Sequence, residues 1–100
     1  MRRDAIKEIG IDAEARLYLK PEQARFSIIY REGAEVHWDA KGAFLYSPKP
    51  REWSYLDWYE HMISVAKGDG GGFNLEITSA TIWINVPEEL RQQIQNLSML

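Results

Sequence analysis

The chain contains no cysteine among its 100 residues. A disulfide framework, a thiol nucleophile and a cysteine-based zinc site are all excluded, and the redox state of the compartment does not matter. Histidine is nearly as scarce, with only His37 and His61, so no metal and no cofactor are expected. No stretch approaches the ~20 apolar residues of a membrane-spanning helix, and the opening MRRDAIKEIG carries charge with no apolar run behind it. No membrane partner is expected, and the expected location is cytoplasmic. Basic charge is also lacking: the formal net charge is −3, and the lysines and arginines are scattered. That argues against a nucleic-acid partner held through phosphates. There is no internal repeat, and the length suits one hydrophobic core, so residues 1–100 are expected to form a single domain.

Aromatic residues, in contrast, are plentiful: four Trp, five Tyr and three Phe. The most strongly marked stretch is SPKPREWSYLDWYEHMISVAK, from Ser47 to Lys67. Ser54 followed by Asp57 is a capping-box pattern, and Trp53 and Trp58 then occupy the two positions joined by a hydrophobic staple. Pro48 and Pro50 force an extended approach, while Gly68 is expected to end the helix as a left-handed residue. The spacing predicts a helix over 54–67. At about 100° per residue its core face is Tyr55, Trp58, Tyr59, Met62, Val65 and Ala66.

The remaining pattern is mostly of strands. Ala5–Ile11 and Arg16–Lys20 read as a hairpin around DAEA, although that turn offers no glycine for a positive φ. Phe26–Tyr30 (FSIIY) has the composition of a buried strand. Val36–Asp39 and Ala43–Ser47 flank AKG as a second hairpin, with His37 and Asp39 on one strand face and Val36 and Trp38 on the other. Asn74–Thr78 and Thr81–Val86 suggest a third hairpin, with Ile82, Ile84 and Val86 inward and Trp83 and Asn85 outward. Pro87 followed by Glu88 and Glu89 opens a final helix over 87–98, with a narrow Leu90, Ile94, Leu97 stripe. The expected fold is α+β: a mostly antiparallel sheet of five to six strands, covered by one central and one C-terminal helix.

The chemistry is sparse. KGDGGGF lacks the Lys-Ser/Thr ending of a phosphate-binding loop and follows a helix rather than a strand. No serine stands in a nucleophile motif, so no catalytic residue is assigned. Two readings remain. Arg51, Glu52, Trp53, Tyr55 and Asp57, together with an outward Trp83, have the residue types of a protein-binding edge. Alternatively, His37 and Asp39, with His61, could line a ligand or enzyme pocket. Each has a plainer rival: aromatics covered by a second layer, and a solvent-facing polar pair.

The segment IYREGAEVHWDAKGAFLYSPKPREWSYLDWYEHM, with the preceding EIGIDAEARLYLKPE, resembles small bacterial proteins encoded in integron gene cassettes. Some of these are similar to predicted immunity proteins of polymorphic toxin systems. The likeness runs from Ile9 to Met62, and YSPKPREWSYLDWY is its most specific string. It brings no catalytic residues, and its members often have Gly where this chain has Ala15. The resemblance implies a small α+β protein, non-enzymatic, that binds a protein partner such as a toxin or self-associates as a homodimer.

Overall fold

The computed structural model describes residues 2–26, 35–68 and 72–98. In chain order the elements are β1 (Arg2–Ile11), β2 (Leu17–Pro21), β3 (His37–Asp39), β4 (Phe44–Tyr46), α1 (Tyr55–Lys67), β5 (Phe73–Glu76), β6 (Ile82–Ile84) and α2 (Glu88–Ser98). The α+β expectation holds, with six strands among the described residues, in the order β3-β4-β2-β1-β5 and with β6 also paired to β1. The strand expected from FSIIY lies outside the described residues beyond Phe26, as do residues 69–71 of the glycine loop. Phe26 itself is buried and meets Trp38 and Phe73 edge-on.

Both expected antiparallel hairpins form, β1 with β2 and β3 with β4. In the first, Asp12 builds the turn that glycine would otherwise ease. Its Oδ1 accepts from the amides of Glu14 and Arg16, its Oδ2 accepts from Arg16 Nε at 2.9 Å, and Ala15 N–H donates to the Asp12 carbonyl. The third loop residue, Ala15, takes φ 63°, the left-handed position that follows a type I turn in three-residue loops. In the second turn Ala43 takes φ 59°, and a side chain at Gly42 would collide with the Phe44 ring.

The third expected hairpin does not form. β5 and β6 never pair with each other; both lie parallel to β1, opposite Arg2–Ala5 and Glu8–Gly10 respectively. Partner numbers differ by 71 along β5 and by 74 along β6, so the two are one edge strand interrupted by a detour of three residues. The detour sits at a bulge in β1 between Ile6 and Glu8, and the buried Thr81 fills it. Its hydroxyl donates to the Ile6 carbonyl at 2.7 Å and accepts from Thr78 N–H at 2.9 Å. The bulge also explains why Ile6 and Ile9, three residues apart, are both buried on one face. Parallel pairing requires a crossover, and α1 supplies it between β4 and β5.

This register corrects the face assignment in β6. Trp83 pairs with the buried Ile9 and is half-buried against the core, whereas Ile82 and Ile84 are 49% and 38% exposed. Alternation alone could not show which face a partner strand would bury.

Ser54 caps α1 as expected: its Oγ accepts from Asp57 N–H, and Asp57 Oδ2 accepts from Ser54 N–H, both at 3.1 Å. Trp58, Tyr59, Met62, Val65 and Ala66 are the buried helical residues, each worth about 1.5–3 kcal/mol if large and fully buried. Gly68 is not left-handed, having φ −102°; the helix ends with its N–H on the Ser64 carbonyl. Leu90 and Ile94 of α2 join the same core. Among the described residues both helices therefore lie on the Ile9 side of the sheet, and the other side is uncovered.

Replacing Ala15 with Gly relieves about 1–2 kcal/mol of left-handed strain and adds about 0.4–1 kcal/mol of unfolded-chain entropy. Ala15→Gly is expected to raise stability by about 0.5–1 kcal/mol, measured as a higher urea midpoint at unchanged slope.

Candidate functional site

The Pro48–Trp53 approach to α1 and the first turns of the helix enclose a cleft of about 380 Å³, lined by Glu35, Pro48, Lys49, Arg51, Glu52, Trp53 and Trp58. Two prolines keep helix out of this approach, which bends at residues 51–53, and the buried Ser47 anchors its start by donating from Oγ to the Pro48 carbonyl and accepting from Leu17 N–H. The staple forms as the sequence predicted. The Trp53 and Trp58 rings lie 4.8 Å apart, and the His61 ring meets both edge-on. Trp53 is 44% exposed while Trp58 is 6% exposed, so one indole forms a wall and the other the floor. The cleft charges balance, with Lys49 and Arg51 against Glu35 and Glu52. Trp58 also holds a feature that no sequence pattern signals: among the described residues its buried indole Nε1 has no hydrogen-bond partner. Such an orphan donor costs about 1–3 kcal/mol.

The other expected edge residues have structural duties. Asp57 completes the capping box. Tyr55 is half-buried, and its hydroxyl donates to the Ala15 carbonyl at 2.8 Å, tying α1 to the first hairpin. Burial, followed by the nearby Asp12 charge, raises the Tyr55 pKa. For Asp12 burial acts upward, but the hydrogen bonds and charge of Arg16 prevail and lower its pKa. Trp83 is half-buried on the covered side of the sheet, with the Arg91 guanidinium 5.1 Å from its ring centre.

The expected pocket of His37, Asp39 and His61 does not assemble. His37 pairs with Tyr46 beside the buried Leu45, which places His37 and Asp39 on the uncovered face; His61 belongs to α1 on the other side. Asp39 Oδ1 instead accepts from Lys41 N–H in the turn, and His61 shares a separate cleft with Trp53, Asp57 and Glu60. Among the described residues no group of three His, Cys, Asp or Glu could hold a metal ion.

The uncovered face carries an aromatic row. His37 stacks on Tyr46 at 5.3 Å, Tyr46 meets Phe44 at 6.0 Å and Phe44 meets Tyr18 at 5.4 Å, with Arg16 over the Tyr46 ring. Tyr18 crosses above Gly10, where a Cβ would stand 2.6 Å from its hydroxyl, and donates to Glu8 Oε2 at 2.7 Å. Burial, then Glu8, raises the Tyr18 pKa.

Among the described residues, fold and site together define an α+β protein with both helices on one face of the sheet and an aromatic cleft beside the central helix. The chain belongs to the integron cassette protein family Hfx_Cass5, whose model matches residues 4–81. It is also 35% identical to the solved integron cassette protein Hfx_Cass5 from the mobile metagenome of North West Arm Sewage Outfall, across 100% of this chain and 99% of that one, with a TM-score of 0.49. The match extends past Met62, where the resemblance read from the sequence stopped. A search among curated proteins finds no match. No described helix is long and apolar enough to cross a membrane.

Two outcomes follow from this geometry. Trp58→Phe removes the orphan donor along with part of the ring, and is expected to change stability by no more than about 1 kcal/mol by thermal denaturation. For Tyr18 and Tyr55 the folded pKa lies above the ordinary 10.0, so the folded state keeps protons that the unfolded chain releases. The contribution of these tyrosines to stability is intact below pH 10 and is lost as pH rises beyond it. In Tyr18→Phe that alkaline fall in melting temperature should be shallower.

Proposed function

We propose that the protein is a non-enzymatic binding module, engaging another protein through the Pro48–Tyr59 edge, and that it neutralises a toxin in the manner of an immunity protein. The observation that carries this reading is Trp53, 44% exposed on the wall of a cleft that Arg51 and Glu52 also line. Indole and guanidinium groups over a desolvated pocket are the side chains that dominate interface energetics. Membership of a mobile cassette family supports a self-contained accessory role. The alternative, a ligand binder or enzyme centred on His37 and Asp39, has less support, since among the described residues the cleft beside Trp53 is lined by other side chains.

The test is titration calorimetry of the purified protein against each protein encoded by genes flanking its cassette. One equimolar complex is expected, and the Arg51→Ala/Trp53→Ala double variant should weaken it by about 2 kcal/mol, roughly thirtyfold in Kd. Absence of any complex, or one that the double variant leaves intact, would remove the reading.

Self-association through the uncovered face is a second reading, favoured by the exposure of Ile82 and Ile84 beside the aromatic row. Light scattering should then report a dimer for the native chain and a monomer for Ile82→Lys/Ile84→Lys.

A further inference from the structure

From the cleft beneath Trp53 we infer that its occupant is an extended peptide segment of the partner, seated with a main-chain carbonyl oxygen accepting a hydrogen bond from Trp58 Nε1. This inference rests on the reading that the Pro48–Tyr59 edge docks a protein, and it names what enters. Trp58 is 6% exposed, lines the cleft, and has an indole N–H with no acceptor among the described residues. A buried donor without a partner is rare in folded proteins, and it is satisfied when an acceptor arrives.

The surrounding charges select the kind of acceptor. Lys49 and Arg51 would welcome a carboxylate or phosphate, but Glu35 and Glu52 line the same space and oppose one. A neutral amide carbonyl meets neither repulsion and accepts from an indole equally well. The apolar walls, Pro48 and Trp53, suit the side chain adjoining that carbonyl, and about 380 Å³ accommodates a short run of residues rather than a folded surface. Because Trp58 Nε1 is buried and Trp53 packs 4.8 Å from its ring, entry of the chain requires the exposed Trp53 to move aside. Aromatic grooves that read extended peptides combine the same two elements, ring walls and main-chain hydrogen bonds.

The experiment selects a displayed random-peptide library on the intact protein and follows the enriched peptides by 15N–1H NMR of the four Trp indole groups. The expected result is saturable binding, a downfield shift of the Trp58 indole proton, and an approximately tenfold weaker Kd for Trp58→Phe, whose fold is checked by its unchanged amide spectrum. Sodium acetate, offering a carboxylate alone, should leave that indole unmoved. Peptides that perturb Arg51 and Trp53 but not the Trp58 indole, and bind Trp58→Phe equally well, would overturn the inference while sparing the docking edge. Failure to enrich any peptide over an Arg51→Ala/Trp53→Ala control would overturn both. An acetate shift equal to the peptide shift would overturn the choice of a neutral carbonyl.

Discussion

The carbonyl of Ile6 is the point at which the sheet could fail. It faces a bulge in β1, the strand that pairs with β2 on one side and with β5 and β6 on the other. An unpaired carbonyl there would be buried without water, at a cost of about 1–3 kcal/mol. Thr81 supplies the missing donor from the detour between β5 and β6 and is held in turn by Thr78. Because that contact is made, β1 can shift register, keep both Ile6 and Ile9 in the core, and pair with a broken strand along its outer edge. The covered face, and with it the seat of α1, follows from this accommodation.

Most of α1 was readable from the sequence because its signals are local. A hydroxyl three residues before a carboxylate, an indole on each side of the cap and a 3.6-residue apolar rhythm all act within one stretch of chain, and each appears as expected. The first two hairpins were legible for the same reason, since their strands are neighbours and Asp12 and Asp39 write their own turns. β5 and β6 were not. Alternation identifies a strand but carries no information about its partner, and two strands separated by a short polar loop suggest a hairpin by default. The inversion of Trp83 and Ile82 followed from that missing pairing. Gly68 misled differently: glycine permits a left-handed helix end without requiring one.

The candidate site was legible in part. The exposed Trp53 with Arg51 and Glu52 was foreseeable, because the staple register fixes where those side chains stand. The separation of His37 and Asp39 from His61 was not, because it depends on which face of the sheet the helix covers. Nor could sequence show the orphaned Trp58 indole, since satisfaction of a donor is decided by the three-dimensional surroundings. The family relationship places the chain among integron cassette proteins. It does not assign the binding chemistry, which has to be argued from the cleft itself.

The brevity of the outermost strands has a consequence for the protein's behaviour at high concentration. An exposed sheet edge is a template on which another chain can add, and long flat edges seed fibres. Among the described residues one edge is β3, only three residues long, and the other is split into four- and three-residue pieces. Neither presents an uninterrupted ladder. The kink that lets β1 hold its core thus also makes the domain a poor nucleus for cross-β growth, despite its wealth of aromatic and β-branched side chains.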